Sequence, residues 1–314
     1  VGGGLAGGLA ALALAALRPE LRLLLIEREA EPGGNHIWSF FDGDVAPQDR
    51  WLVDPMIAHR WTQGHAVIFP GFQRDLATPY NSITSVTFAV HVRKTLGHRL
   101  LIGADVRTLA PDRVTLADGR IIHAQAVLDA RGPGDLSALR CGWQKFVGHA
   151  LRCAAPHGVE RPVIMDASVD QHDGYRFVYT LPLGAEGLFV EDTYYADSPV
   201  LDRNALSGRI DRYCEAAGWH GDILGDVRDI GGTTKEEHGR GYTGKDELHF
   251  HSDGCDISGL FCLRVAKQGG LSQLVSAAAA HPPAPRAGGH ATVQPAREHV
   301  TAQLVASGLA ELLR

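Results

Sequence analysis

Val1-Gly2-Gly3-Gly4-Leu5-Ala6-Gly7 opens this chain of 314 residues and has the form of a dinucleotide-binding glycine turn. The Ala- and Leu-rich residues 5–17 follow it, and they predict a helix that ends before Pro19. A short apolar strand over residues 21–26 then leads into Glu27. Glu27 stands twenty residues after Gly7, which is the spacing expected of a carboxylate that binds the ribose of a dinucleotide.

The glycines of this turn each meet a geometric need. Gly2 permits the tight turn, Gly4 lets a pyrophosphate approach the backbone, and Gly7 lets the helix pack closely on the sheet. The unpaired N–H groups and the positive dipole end of the helix favour phosphate binding. The candidate cofactor-binding residues here are therefore Gly2, Gly3, Gly4, Leu5, Gly7 and Glu27. The alternative interpretation is a glycine-rich start without a ligand. Because no strand precedes the turn, we expect that the chain lacks its beginning.

The composition limits the classes of protein that need consideration. Hydrophobic residues make up 45% and charged residues 21%, which is typical of a globular chain. The net charge of -6 gives no reason to expect nucleic-acid binding. Five scattered cysteines without C-x-x-C spacing favour a reducing compartment. The sequence has no run of about 18 apolar residues, so we predict no membrane-spanning segment. The histidines of the tail lack an organising helix or strand, so we predict no metal site.

The order of predicted elements indicates an α/β fold. Strands alternate with helices at residues 5–17 and 84–96, and Asp118-Gly119 predicts a hairpin inside a β-meander. A buried strand is predicted over residues 126–130. We expect a Rossmann-like dinucleotide-binding domain with an inserted β-rich substrate domain. The predicted boundaries are residues 1–140 for binding of FAD or NAD(P), 141–228 for the β-rich catalytic region, and 229–314 for an atypical tail that is partly loop or disordered.

Two further segments carry polar groups at strand ends. Arg131 and Gly132 follow a predicted strand, where the turn either lines a cofactor or is an ordinary connection with an exposed arginine. Glu191 and Asp192 are adjacent carboxylates on an apolar strand. Successive strand side chains point to opposite faces, so we expect only one of the two to meet a cavity. Burial raises the pKa of a carboxyl group, which would make it a general acid. The alternative is a solvated strand end.

Several long strings of residues resemble the bacterial lycopene β-cyclases of carotenoid biosynthesis. The resemblance covers residues 1 to about 228 and is strongest in strings that the family has in the same order. These are Pro32-Gly-Gly-Asn-His-Ile-Trp-Ser-Phe40, Tyr80-Asn-Ser-Ile-Thr-Ser85, Val127-Leu-Asp-Ala-Arg-Gly132, Gln144-Lys-Phe-Val-Gly148, Asp173-Gly-Tyr-Arg-Phe-Val-Tyr-Thr-Leu-Pro182 and Val190-Glu-Asp-Thr193. We therefore expect a member of that family.

The resemblance implies a flavoprotein that converts the linear ends of lycopene into β-ionone rings, giving γ-carotene and then β-carotene. The reaction is acid-initiated and without net redox change, and it uses reduced FAD with NAD(P)H as the reductant. By resemblance Glu191 is the acid and Asp192 its partner or a second acid, while Arg131 and Gly132 line the flavin. The implied location is the bacterial cytoplasm, peripheral to the inner membrane where the substrate dissolves. The sequence predicts no oligomeric state.

The tail departs from the family. The C-terminal block expected to close over the flavin is absent, and the Ala, Pro, Arg and His bias of residues 229–314 resembles a GC-rich gene read out of frame. Two alternatives follow from this departure and from the glycine turn. One is an inactive, truncated or frameshifted cyclase remnant. The other is a flavin-dependent oxidoreductase or monooxygenase that acts on an apolar substrate.

Overall fold

The glycine turn lies between two segments of parallel backbone. In the computed structural model, the Gly2 amide donates to the Ile26 carbonyl at 2.9 Å, and the Ala130 amide donates to the Val1 carbonyl at 2.7 Å. Leu25–Ile26 in turn pairs in parallel with Leu100–Leu101. The structure describes residues 1–132, 141–172 and 174–234, and two further strands at 272–273 and 292–293. This parallel arrangement with a helix after the turn confirms the α/β, Rossmann-like fold.

Four α-helices and seventeen strands are described. The helices are Leu5–Leu17 (α1), Arg50–Val53 (α2), Ser85–Leu96 (α3) and Arg203–Ala216 (α4). The strands are Leu25–Ile26 (β1), Ile37–Phe41 (β2), Ile57–Trp61 (β3), His65–Phe69 (β4), Phe72–Leu76 (β5), Tyr80–Thr84 (β6), Leu100–Leu101 (β7), Val106–Ala110 (β8), Arg113–Leu116 (β9), Ile121–His123 (β10), Cys141–Cys153 (β11), Val163–Asp166 (β12), Arg176–Pro182 (β13), Gly187–Ala196 (β14), Gly221–Thr234 (β15), Ser272–Gln273 (β16) and Thr292–Val293 (β17).

The two long helices of the dinucleotide-binding half match their predicted spans. The α1 helix packs close to α3, because Gly8 leaves room for the Phe88 ring; a Cβ atom at Gly8 would lie 2.2 Å from Cζ of that ring. Thr84 caps α3 by accepting a hydrogen bond from the Thr87 amide. The buried Phe88, Leu12 and Leu25 belong to the core that joins these helices to β1.

Two predictions about strands need correction. Of the predicted strand over residues 21–26, only Leu25–Ile26 is extended and paired. No strand is assigned over residues 126–130, and Leu128 is 46% exposed rather than buried. The reason is that this segment bonds to Val1 on one side, while no described strand pairs with its other side. The hairpin at Asp118-Gly119 is confirmed, since β8, β9 and β10 form an antiparallel meander and Gly119 has a φ of +89°.

A seven-stranded mixed sheet forms the β-rich region, in the order β15-β11-β14-β13-β12-β4-β5. All neighbours are antiparallel except β12 and β4. One face packs against α4, which supplies the buried Leu206, Ile210 and Cys214. The other face packs against the three-stranded sheet β2-β6-β3 through Tyr80 and its neighbours. The opposite side of this small sheet contributes Ile83 to the core of α1 and α3. The small sheet therefore connects the two halves.

The tail is described only in part. The chain divides into two units, Val1–Glu237 with Asp253–Asp256 and His238–Ser252 with Ile257–Arg314. In the second unit β16 and β17 pair antiparallel. The loop expected over residues 277–289, the closing helix expected over residues 296–313 and the tail histidines lie outside the described residues. Within the part that the structure describes, none of the helices has the length and apolar character needed to cross a bilayer.

Candidate active site

The glycine turn leaves open space at the start of α1. A Cβ atom at Gly4, the residue that caps α1, would meet nothing within 4 Å. Gly2 and Gly7 are crowded instead. Gly2 has a φ of +98°, and a Cβ there would lie 2.4 Å from the Ala130 carbonyl oxygen. A Cβ at Gly7 would lie 1.9 Å from the Gly2 carbonyl oxygen. The turn is thus tightly packed behind Gly4 and open in front of it, as the close approach of a phosphate requires.

Glu27 lies beside the turn and hydrogen bonds to it. Its Oε2 accepts from the Gly3 amide at 2.5 Å, and its Oε1 accepts from the Glu29 amide at 2.8 Å. A carboxylate has about four acceptor sites, so these two bonds leave capacity for ribose hydroxyls. The Glu27 carboxylate, which the spacing predicted, therefore lies directly beside the glycine turn. Its role in binding the ribose stays a prediction.

A second glycine turn, at Gly33-Gly34, closes against the first. The Gly33 amide donates to the Gly3 carbonyl at 2.8 Å, and Gly33 has a φ of +93°. The preceding Glu31 binds Arg93 of α3 through two charged contacts, and Arg93 also donates to the Ala30 carbonyl at 2.7 Å. The loop before β2 is thus fixed to both the glycine turn and α3.

Arg131 and Gly132 lie close to the glycine turn through their backbone. The Arg131 nitrogen would be 2.8 Å from a Cβ at Gly2. The Arg131 side chain, 44% exposed, forms a pair of 2.8 Å hydrogen bonds with Asp129. This contact with Arg131 lowers the pKa of Asp129. Gly132 has a φ of +84°. The structure brings the backbone of these two residues to the turn, while the guanidinium binds Asp129, two residues earlier in the chain.

Glu191 lies in the middle of β14 on the face that meets the small sheet. Its direct neighbours across the strands are Tyr179 on β13 and Gly148 on β11. The Phe189 ring occupies the space over Gly148, since a Cβ there would be 2.3 Å from Cζ of the ring. Thr193 donates to Oε1 of Glu191 at 2.6 Å. The partly buried carboxyl group thus lies beside aromatic residues and accepts a hydrogen bond from the Thr193 hydroxyl.

A group of aromatic residues from distant parts of the chain lies between this face and the small sheet. The Tyr80 hydroxyl of β6 contacts the Tyr179 hydroxyl, although the two residues are 99 positions apart. Burial raises the pKa of Tyr80, and the nearby charge of Glu191 adds to the shift. We call the face of the seven-stranded sheet that carries Glu191, together with this group, the aromatic face. The group comprises Phe41, Trp61, Tyr80, Phe146, Tyr179 and Phe189.

Asp192 points to the opposite face, which we call the helix face because α4 covers it. It is fully buried, and both of its oxygens accept from the Arg176 guanidinium at 2.6 to 3.0 Å. Arg176 also donates to the Asp170 carbonyl at 2.9 Å. The alternation expected of a strand therefore separates the two acids. Of the pair, Glu191 lies on the aromatic face, and the oxygens of Asp192 are occupied by an arginine.

Residues 1–225 match the family model described as lycopene cyclase protein. The chain belongs to the lycopene cyclase family. It is 47% identical over 220 residues to the lycopene beta-cyclase of Pseudescherichia vulneris, covering 70% of this chain and 56% of that protein. The lycopene beta-cyclase of Pantoea ananas is 42% identical over 220 residues, covering 70% and 57%. The chain thus spans little more than half the length of these relatives.

Solved structures agree on the fold of this lycopene cyclase family member. The tetrameric form of 2-methyl-3-hydroxypyridine-5-carboxylic acid oxygenase superposes with a TM-score of 0.52 at 16% identity, covering 76% of this chain and 70% of that one. An identity this low shows a shared fold alone. The match of the family model to residues 1–225 also confirms that the resemblance ends near residue 228.

Three residues of this site received no role from the sequence. Arg176, Tyr80 and Thr193 all stand inside the strings that resemble the family, but no spacing rule selected them. A charged residue among the apolar residues of β13 was a signal for Arg176, because a buried charge needs a partner. The period of two along β14 was a signal for Thr193, which shares a face with Glu191.

Proposed function

We propose that this protein is a lycopene β-cyclase that closes the linear ends of lycopene into β-ionone rings. The observation that carries the proposal is the position of Glu191, a carboxyl group on an aromatic sheet face in a member of the lycopene cyclase family. Protonation of an alkene needs an acid shielded from water, because water would trap the cation. The aromatic face offers such surroundings.

The proposed reaction begins when Glu191 gives its proton to the terminal double bond of lycopene. The next double bond attacks the resulting cation, which forms the ring carbon–carbon bond, and loss of a proton then leaves a ring double bond. The atoms of the substrate and product are the same, so no net oxidation occurs. Tyr179 and Phe189 border Glu191, and aromatic rings of this kind can stabilise a positive charge that develops over their faces.

The residues of the glycine turn fit a dinucleotide. The open space at Gly4, the amide of Leu5 at the start of α1, and Glu27, which the Gly3 amide holds beside the turn, would bind the ADP portion of FAD. Reduced FAD bound there would supply negative charge that favours a cationic reaction, and NAD(P)H is its proposed reductant. The backbone at Arg131 and Gly132 adjoins the turn and would border the same cofactor.

The predicted role of Asp192 as a second acid is replaced in this proposal by a structural one. Both of its oxygens bind Arg176 on the helix face, so neither is placed beside Glu191. We assign Asp192 to anchoring β14 against β13. The substrate dissolves in membranes, so we also propose that the protein works in the bacterial cytoplasm at the surface of the inner membrane.

Expression in lycopene-accumulating bacteria tests this proposal. Wild-type protein should convert lycopene into γ-carotene and β-carotene, measured by chromatography of the extracted pigments. Glu191→Gln should abolish conversion while FAD absorbance in the purified protein is retained. Glu186→Gln, at the exposed turn between β13 and β14, is the matched control and should convert lycopene normally. Full activity of Glu191→Gln would exclude Glu191 as the acid.

The same experiment separates the other candidate functions. A monooxygenase or oxidoreductase would consume NAD(P)H, and a monooxygenase also O2, in proportion to product, whereas a cyclase leaves both unconsumed in the ring closure. An inactive remnant would leave the pigments unchanged with soluble protein present, and weak or absent flavin absorbance would support that result.

A further inference from the structure

Thr193 lies two residues after Glu191 and shares its face of the sheet. The side chain is buried, with 1% of the residue exposed. Its hydroxyl donates a 2.6 Å hydrogen bond to Oε1 of Glu191. A threonine on a strand has a stiff side chain because it is β-branched, so the position of this donor is well fixed. The bond therefore ties the carboxyl group to a rigid point on its own strand.

The neighbours of Glu191 limit its other positions. Tyr179 lies directly across on β13, and on β11 the glycine at position 148 is covered by the Phe189 ring. Lateral movement of the carboxyl group would therefore meet an aromatic ring on either side. The hydroxyl of Thr193 draws the group along the strand, away from Phe189. The Thr193 hydroxyl and these aromatic rings thus restrict the orientation of the carboxyl group.

A hydroxyl that donates to one carboxyl oxygen has consequences for the acidic proton. A protonated carboxyl group carries a single O–H, and its carbonyl oxygen is a better hydrogen-bond acceptor than its hydroxyl oxygen. Donation from Thr193 to Oε1 therefore favours the form that carries the proton on Oε2. After the proton has left, the same bond is made to a charged carboxylate and becomes shorter and stronger. The contact is consequently more favourable in the ionised state that proton donation produces.

We propose that Thr193 is a positioning residue of the acid: its hydroxyl fixes which oxygen of Glu191 carries the proton and stabilises the carboxylate once the proton has left. This inference rests on the proposed function of Glu191 as proton donor. It assigns the three residues of the Glu-Asp-Thr segment different tasks, with Glu191 as acid, Asp192 as anchor and Thr193 as support for the acid.

The experiment compares Thr193→Val, which removes the hydroxyl and keeps the shape, with Thr193→Ser, which keeps the hydroxyl. Infrared difference spectra between each protein and its Glu191→Gln counterpart isolate the carboxyl bands of Glu191. We expect the C=O band to move to higher frequency in Thr193→Val and to stay near the wild-type frequency in Thr193→Ser. Cyclisation should fall roughly ten-fold or more in Thr193→Val, as expected for a lost hydrogen bond to a charged group, and be restored in Thr193→Ser.

A matched control is Thr180→Val, which removes a buried hydroxyl from β13 on the helix face. It should leave both the Glu191 band and cyclisation unchanged. If Thr193→Val does not accumulate as folded protein, Thr193→Ala makes the same comparison without the branched side chain. Wild-type frequency and wild-type cyclisation in the folded variant would overturn the positioning role. If wild-type protein itself does not cyclise lycopene, the cyclase proposal fails, and an unshifted band in Thr193→Val then separately excludes the Thr193 contact.

Discussion

The two faces of the seven-stranded sheet hold similar acids in different ways. On the helix face, Asp192 is fully buried and bound through both oxygens by Arg176. On the aromatic face, the adjacent Glu191 has a neutral hydroxyl donor, Thr193, and aromatic rings on its flanks. A carboxylate that accepts hydrogen bonds from a guanidinium at both oxygens contributes to the stability of the fold. A carboxyl group that accepts from a neutral hydroxyl can gain and lose a proton. The strand period of two thus divides one pair of acids between stability and chemistry.

The largest effect is expected from breaking the ion pair on the helix face. Arg176→Leu would leave the buried Asp192 without its partner, and we expect the free energy of unfolding to fall by about 3–5 kcal/mol. Urea denaturation followed by circular dichroism measures this change. Glu191→Gln should alter the free energy of unfolding by less than about 1 kcal/mol, because the amide oxygen can still accept from Thr193.

The double variant Arg176→Leu with Asp192→Leu is the control for that prediction. Removing both charges leaves no unpaired buried ion, so most of the lost stability should return. A loss below about 1 kcal/mol in Arg176→Leu would contradict the assignment of Asp192 as an anchor. If the double variant is no more stable than Arg176→Leu, the loss in the free energy of unfolding comes from other contacts of Arg176, such as its hydrogen bond to the Asp170 carbonyl.

Local features of the sequence predicted local structure well. The glycine turn, α1, α3 and the hairpin at Asp118-Gly119 all depend on residues close together in the chain, and all are confirmed. The prediction of a buried strand over residues 126–130 was wrong, because the exposure of a segment depends on what pairs with it and not only on its own apolar residues. Alternation along β14 did predict that Glu191 and Asp192 would lie on opposite faces.

The sequence could not predict which residues of other strands meet those two acids. Tyr80 comes from another sheet, and Arg176 pairs with Asp192 only because β13 and β14 align in one register. A shift of one residue in that register would move Arg176 to the aromatic face. Which acid meets aromatic rings and which meets an arginine is therefore decided by tertiary pairing.

The second prediction concerns the space beside Glu191. Gly148→Ala would place a Cβ 2.3 Å from the Phe189 ring, which is 1% exposed and has no room to retreat. We expect a loss of about 1–3 kcal/mol in the free energy of unfolding from overpacking. Thermal and urea denaturation measure it. Unchanged stability would show that the aromatic face is more loosely packed than the contact indicates.

Gly208→Ala in α4 is the matched control on the helix face. The nearest atom to a Cβ there is Nη1 of Arg212 at 3.6 Å, an ordinary contact. Because glycine is unfavourable inside a helix, this substitution should raise the free energy of unfolding by about 0.5–1 kcal/mol. Opposite signs for the two glycine substitutions would separate lack of space from backbone effects.

The smallest predicted effect compares the buried tyrosines of the two faces. Burial raises the pKa of both Tyr213 of α4 and Tyr80, and Asp166, which accepts from Tyr213 at 2.7 Å, raises that of Tyr213 further. A raised pKa means that the folded state keeps a proton that the unfolded state loses above about pH 10, so stability falls as the pH rises beyond that value. Tyr213→Phe should cost about 1 kcal/mol at neutral pH through the lost hydrogen bond. It should also make the decline of stability at alkaline pH shallower by up to about 1.4 kcal/mol per pH unit.

Urea titrations from pH 8 to 11 measure both effects, and Tyr80→Phe should reduce the slope in the same way on the aromatic face. An alkaline slope unchanged in both variants would mean that neither phenol is held neutral by the fold. A change in Tyr213→Phe alone would mean that the aromatic face admits solvent to Tyr80, which would remove the dry surroundings that proton donation by Glu191 requires.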